Sequence, residues 1–214
     1  LGISGGKDSA ALAVHLRDRI PEMEYVFCDT GKELKETYDF IDKLEAFLNK
    51  HVIRLPKELE GFDENYDFDH FIELYGGYLP SPSNRWCTAD LKLLPFEKYL
   101  GKDQVINYVG IRADENRKGF ISTKDNVKTV FPFIEDGIDK DGVLRILENA
   151  EIGLPKYYDW RSRSGCYFCF YQSPKEWKAL NKRHPELFKK AQEYEKDDFT
   201  WRSDGSLQEL LKRK

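Results

Sequence analysis

The chain has 214 residues, enough for one domain with a proper core and room for a small appendage. A third of it is charged, yet the formal net charge is only −4, so nothing global attracts nucleic acid and any such contact has to be local. No apolar run approaches membrane length and no signal-peptide pattern is present. The four cysteines are too few and too scattered for a secreted disulfide framework, which makes cytoplasm the expected compartment.

Leu1 to Ile3 reads as the end of a buried strand and Ala10 to Val14 as the start of a helix. Between them stands Ser4-Gly5-Gly6-Lys7-Asp8-Ser9. A strand, a Gly-Gly turn and a helix N-terminus make an anion site, because glycine lets backbone N–H groups approach a phosphate and the helix dipole favours negative charge. Lys7 adds a cation, Ser4 and Ser9 add hydroxyls, and Asp8 suits a phosphate only through Mg²⁺. The spacing is not that of the Walker A loop. The chain starts with Leu at this motif, so most of the first strand is expected to lie upstream.

Tyr25 to Cys28 reads as a second strand, followed by Asp29-Thr30-Gly31. Leu34, Tyr38, Ile41, Leu44 and Leu48 recur at helical spacing, and Val52 to Leu55 is a third strand. This alternation predicts an α/β fold with a mostly parallel, doubly wound sheet. Ligands in such sheets bind beyond the strands' carboxyl ends, which puts Ser4–Ser9 and Asp29–Gly31 on one rim. Asp29 could serve a ribose, an adenine edge or a metal, or simply cap the next helix.

The stretch from 56 to 84 is acidic, with Glu58, Glu60, Asp63, Glu64, Asp67, Asp69 and Glu73, and ends in Gly76-Gly77 and Pro80-Ser81-Pro82. It predicts a helical lid near Phe68 to Tyr75 and then a mobile loop over the site. A helix from Ala89 to Leu100 carries Lys92, with Pro95 inside it. Gln104 to Ile111 is a strand leading to Arg112, Val127 to Phe133 another, and Val143 to Ala150 a helix. Arg161 and Arg163, with Tyr158 and Trp160, form a basic and aromatic strip that suits single-stranded nucleic acid or is just a solvated loop. Trp177 and Leu180, then Leu187, Phe188, Ala191 and Tyr194, mark helices joined at His184-Pro185, and Lys212-Arg213-Lys214 ends the chain.

Several motifs then agree in order. Ser4–Ser9 resembles the PP-loop of the ATP pyrophosphatases, which split ATP between its α and β phosphates. Together with Asp29-Thr30-Gly31, Glu36-Thr37, Cys87-Thr88 with Lys92, Gly110-Ile111-Arg112 and Gly165-Cys166 with Cys169, it resembles the phosphoadenosine-phosphosulfate (PAPS) reductase family. The similarity spans residues 1–170, and residues 171–214 form a C-terminal helical extension. That tail looks like relatives that are not reductases, among them the DndC and SspD type of DNA phosphorothioation component.

The resemblance implies an adenine nucleotide α-hydrolase-like fold. ATP and Mg²⁺ would be bound by Ser4, Gly5, Gly6, Lys7, Asp8, Ser9, Asp29, Thr30 and Gly31. Lys7, Asp8, Lys92 and Arg112 would act on the phosphates, with Asp8 on the metal. It also implies a cysteine desulfurase as sulfur donor, DNA or another nucleic acid as acceptor, and further phosphorothioation subunits. Assimilatory reductases use a cysteine near the C-terminus, and none follows Cys169 here. Cluster-binding members carry Cys-Cys where this chain has Trp86-Cys87.

Cys87, Cys166 and Cys169 could hold a [4Fe–4S] cluster with one open iron, complete a zinc site, carry persulfide, act as a redox dithiol, or be buried thiols with no chemistry. Cys28 reads as core. The expected function is adenylation of an acceptor, foremost a DNA backbone phosphate, for sulfur insertion. The alternatives are a PAPS or APS reductase, a tRNA sulfurtransferase, and a nucleotide-binding subunit of a defence complex.

Overall fold

A computed structural model describes residues 1–63, 65–117, 122, 124–196 and 199–213; the predicted acidic Glu64 and basic Lys214 lie outside these. Two parallel strand pairs carry the frame. Strand β1 (Tyr25–Cys28) pairs with β2 (Val52–Leu55), Tyr25 opposite Val52 and Cys28 opposite Leu55. The first residues join β1 from its other edge: Gly2 bridges Val26 in parallel, and the Ile3 amide donates to the Val26 carbonyl at 2.7 Å. Strand β3 (Val105–Tyr108) pairs in parallel with β4 (Val127–Val130). Parallel pairing needs crossovers, and the helix Lys35–Leu48 supplies the one between β1 and β2.

Helix α1 (Lys7–Leu16) leaves the first strand and packs on α7 (Lys140–Asn149). Helix α2 (Lys35–Leu48) links β1 to β2 and buries Ile41, Leu44 and Leu48 of its predicted stripe; Phe40 and Thr37 join them, Tyr38 is half-buried, and the buried Leu34 stands just before the helix. These faces meet β1 in a first core that also holds Leu12, Phe27, Val52 and Phe133.

A second core is largely aromatic. Helix α3 (Phe68–Leu74) contributes Phe68, Phe71 and Ile72, with Asp67 capping its start. The segment from 86 to 100 contributes Trp86 and Leu91. It consists of α4 (Trp86–Thr88), a π-helical stretch (Ala89–Leu93) and α5 (Leu94–Leu100). Helices α8 (Pro174–Arg183), α9 (Pro185–Glu193) and α10 (Leu207–Lys212) add Trp177, Leu180, Phe188, Leu207 and Leu210 to the same core. Ser173 and Ser206 each close a capping box, with Glu176 and Glu209, at the starts of α8 and α10.

Three expectations change. Strand β4 stops at Val130, and α6 (Pro132–Glu135) replaces its predicted end, because Pro132 lacks an N–H for a ladder but suits a helix's first turn. The predicted lid is a packed element: α3 is anchored in the second core, and no described residue from 56 to 84 lines the cavity at the Ser4–Ser9 loop. Arg161 is only 2% exposed, and its guanidinium clamps the carbonyls of Gly165 and Cys166 at 2.8 Å each, so it belongs neither to a solvated loop nor to a nucleic-acid strip.

Candidate functional site

The turn between the first strand and α1 is built for close approach. Gly5 has φ +69°, and a Cβ there would lie 2.4 Å from the Thr37 methyl. Thr37 therefore serves the loop as its packing floor. Ser9 Oγ accepts from the Ser4 amide and lies 3.0 Å from Ser4 Oγ. It also donates to the Gly6 carbonyl at 3.2 Å, which ties the turn shut across its base. Two tyrosines from a distant 3₁₀ turn (Lys156–Asp159) complete the brace: Tyr157 donates to the Gly5 carbonyl at 2.6 Å, and Tyr158 accepts from the Lys7 amide at 3.2 Å. Neither role was legible in advance; the only sequence signal was a proline followed two residues later by paired tyrosines.

Above this loop opens a cavity of about 670 Å³, within the range of about 300–1,000 Å³ usual for small-molecule sites. Ser4, Gly6, Lys7, Asp8 and Ser9 line one wall, and Lys92, Cys28, Leu93 and Phe96 a second. Tyr108, Val109 and Gly110 line the β3 end, and Ser162, Arg163 and Ser164 close the side facing Tyr158. Gly110 fits tightly: a Cβ there would lie 3.1 Å from the Asp8 carbonyl oxygen. The polar lining suits phosphates, and Leu93, Phe96 and Val109 add apolar lining for a flat ring.

Charges in the cavity are partly spoken for. Asp8 receives Lys7 Nζ at 2.7 Å on one oxygen and Arg112 at 2.9 Å on the other. Arg112 also pairs with Asp114 and Glu115, so it is held beside the loop and reaches the cavity through Asp8. Among the described residues no carboxylate lies within ion-pair distance of Lys92. Burial works against its ammonium, but Glu33 and the thiols of Cys166, Cys28 and Cys169 together outweigh that and hold its pKa above the ordinary value.

Of the predicted nucleotide residues, Ser4, Gly6, Lys7, Asp8, Ser9 and Lys92 line the cavity, and Gly5 and Arg112 stand directly behind it. Asp29, Thr30 and Gly31 do not line it. Asp29 is buried, its carboxylate accepting from the Gly31 amide and the Tyr38 hydroxyl at 2.8 Å each, an Asx turn that starts the next segment. Thr30 Oγ1 lies 3.1 Å from Cys166 Sγ.

Of the four cysteines only Cys28 lines the cavity; Cys166 lies against Thr30 and Glu33. Cys166 Sγ points to Glu33 Oε1 at 3.7 Å. Burial and then the Glu33 carboxylate push the Cys166 thiol pKa well up. Burial also raises Cys87 and takes Cys28 to about 11. Glu33 is itself raised by burial, and its Oε2 has no hydrogen-bond partner among the described residues. Nothing in the spacing predicted Glu33 or the inclusion of Cys28. Among the described residues, no three Cys, His, Asp or Glu side chains are placed to hold a metal ion. The ligand set expected from Cys87, Cys166 and Cys169 is thus not assembled in this arrangement, and no step below runs through a cluster.

Residues 1–169 match the phosphoadenosine phosphosulfate reductase domain family. An uncharacterized protein of Methanocaldococcus jannaschii is 32% identical over 198 residues, covering 87% of this chain and 45% of that protein. An uncharacterized nin region protein of Escherichia phage lambda is 28% identical over 144 residues, covering 55% of this chain and 49% of its own length. The chain thus spans less than half the length of these curated relatives. Among solved structures, a PAPS reductase from Candida auris in complex with phosphate superposes with a TM-score of 0.55 at 16% identity, covering 77% of this chain and 79% of that one. That likeness shows the fold, an adenine nucleotide α-hydrolase-like α/β arrangement.

Proposed function

The chain belongs to the phosphoadenosine phosphosulfate reductase domain family, and on that premise we propose that it is an ATP pyrophosphatase that adenylates an acceptor for sulfur insertion. The acceptor in this reading is a DNA backbone phosphate, and the sulfur comes from a cysteine desulfurase partner.

The observation that carries the reading is Lys92. It lines the same cavity as the phosphate loop, and beside it in that lining stands Cys28, whose Sγ donates to the Lys92 carbonyl at 3.4 Å. A candidate polyphosphate site and a thiol therefore share one cavity. That juxtaposition suits a reaction that first activates an oxygen and then replaces it with sulfur.

The step balances without an external oxidant. An acceptor phosphate oxygen attacks the α phosphorus of ATP, its bond forms as the bond to the β-phosphate oxygen breaks, and pyrophosphate leaves. A thiol reductant frees the desulfurase's persulfide sulfur as hydrosulfide and ends as a disulfide; the hydrosulfide then attacks the acceptor phosphorus, the S–P bond forming as the P–O bond to AMP breaks. The protein's part is to position the phosphates on the amides and hydroxyls of Ser4–Ser9 and to oppose developing charge with Lys7 and Lys92. The Asp8 carboxylate would take Mg²⁺ in exchange for its contact to Lys7. The metal would neutralise charge between the phosphates when bound.

The test is product analysis with α-labelled ATP and the full-length protein. AMP and pyrophosphate are expected, and Asp8→Ala is expected to lower their formation by about 10²–10³-fold, the loss typical of a removed charge-stabilising group. Formation of ADP and orthophosphate would sink the reading. The family premise also supports a sulfonucleotide reductase, and release of sulfite from PAPS or APS would decide for it.

A further inference from the structure

The mechanism leaves one cationic and aromatic group unused. Tyr171 is 41% exposed. The guanidinium carbon of Arg163 lies 4.9 Å from its ring centroid, and that of Arg85 lies 5.8 Å away. No carboxylate among the described residues pairs with Arg85 or Arg163, as with Arg145, Arg161 and Arg183, but only Arg85 and Arg163 share an exposed aromatic ring. In an acidic chain, two free guanidiniums over one exposed ring are a local exception to the overall charge.

The position of this group matters as much as its chemistry. Arg163 lines the nucleotide cavity. Arg85 lies two residues before Cys87, and Tyr171 two residues after Cys169. Phe170 stacks near Tyr171, with ring centroids 4.5 Å apart. It continues the aromatic surface into a separate groove of about 840 Å³, also lined by Tyr78 and Phe199.

We propose that Arg85, Tyr171 and Arg163 form the platform on which the acceptor lies, an unpaired stretch of nucleic acid with a base stacked on Tyr171 and its flanking phosphates on the two guanidiniums. Aromatic rings bind nucleic acid through base faces, which a duplex hides and a single strand or an extruded nucleotide exposes. Guanidiniums supply the phosphate contacts and stack on π systems as well. A strand held there brings a backbone phosphate to Arg163, which lines the cavity that holds ATP in the proposed function. The inference rests on the nucleic-acid acceptor of the proposed function.

The experiment is fluorescence anisotropy with a labelled oligothymidylate, alone and annealed to its complement, across a salt series. The wild-type protein is expected to bind the single strand more tightly than the duplex. Tyr171→Ala is expected to weaken that binding about tenfold, the low end for loss of one stacked base. Arg85→Gln with Arg163→Gln is expected to reduce the slope of log affinity against log salt by about 1.4, about 0.7 for each lost phosphate contact. ATP affinity of Tyr171→Ala should stay at the wild-type value. If the single strand binds but neither variant changes its affinity or salt slope, the platform is overturned and the nucleic-acid acceptor survives. If the wild-type protein binds neither oligonucleotide while still cleaving ATP to AMP, the acceptor reading falls and takes the platform with it.

Discussion

Cys28 shows how the site controls a thiol residue by residue. Its Sγ donates to the Lys92 carbonyl at 3.4 Å, and burial raises its pKa from 9.0 to about 11. A raised thiol pKa means less thiolate at any pH below it, so at pH 8 Cys28 should hold about 100-fold less thiolate than a free cysteine. Peptide mapping after timed iodoacetamide exposure of the folded protein should therefore show Cys28 reacting about 100-fold more slowly than the same peptide unfolded. The rate should rise about tenfold per pH unit until near pH 11. Equal rates in folded and unfolded protein at pH 8 would contradict the burial argument. The sequence placed Cys28 in a strand core and Cys87, Cys166 and Cys169 together; the structure sets Cys28 against the Lys92 carbonyl and Cys166 against Thr30 and Glu33. That could not be read beforehand, because the spacing between positions 28 and 166 says nothing about which strand end faces which loop. The phosphate loop was legible for the opposite reason. All its groups are local, and glycine, lysine and serine at those positions have few other uses.

At the scale of the element, the segment from 86 to 100 decides where Lys92 sits. Its N–H pattern slips to i→i−5 just before Pro95, with the Leu94 amide donating to the Ala89 carbonyl. Pro95 has no N–H to give, and in a regular helix its ring would press on the carbonyl four residues back. The wider turn relieves that contact and sets Lys92 into the cavity wall, as such turns often do at functional sites. A helix with Pro95 inside it was readable from the pattern, but the wider turn was not, because a proline is accommodated equally by a kink. Pro95→Ala restores a donor and allows the turn to tighten into an ordinary helix. We expect the variant to be no less stable in urea but to lose at least about tenfold in pyrophosphate release, because a misplacement of about 1 Å at a reacting centre can cost that much or more. A variant that is both fully active and no more stable than wild type would show that Lys92 is placed by something other than this turn.

The whole molecule is two cores with the cavity where they meet. The first holds β1, β2 and α1, and with α1 the Ser4–Ser9 loop that leads into it. The second holds Tyr157, Tyr167 and Phe168, which lead into the thiol loop, together with the helices at the chain's end. Strand and helix rhythm made the first core legible as a parallel α/β unit. The second was not legible as a unit, because Phe68, Trp86, Phe168 and Trp201 lie far apart in sequence and converge only through tertiary packing: the ring centroids of Phe68 lie 5.1 Å from Trp86 and 4.4 Å from Phe168. This makes the C-terminal helices part of the site's support. Trp177 is fully buried, with ring centroids 6.3 Å from both Phe188 and Trp201. Trp177→Ala should therefore cost about 3–5 kcal/mol of unfolding free energy in urea. It should also weaken ATP binding, because the same core fixes Tyr157, whose hydroxyl holds the Gly5 carbonyl. Trp177→Phe should cost less, since the indole N–H finds no partner among the described residues and its loss leaves nothing newly unpaired. If Trp177→Ala lowers stability as expected but leaves ATP affinity at the wild-type value, the phosphate loop is braced by the first core alone and the C-terminal helices serve stability without serving the site.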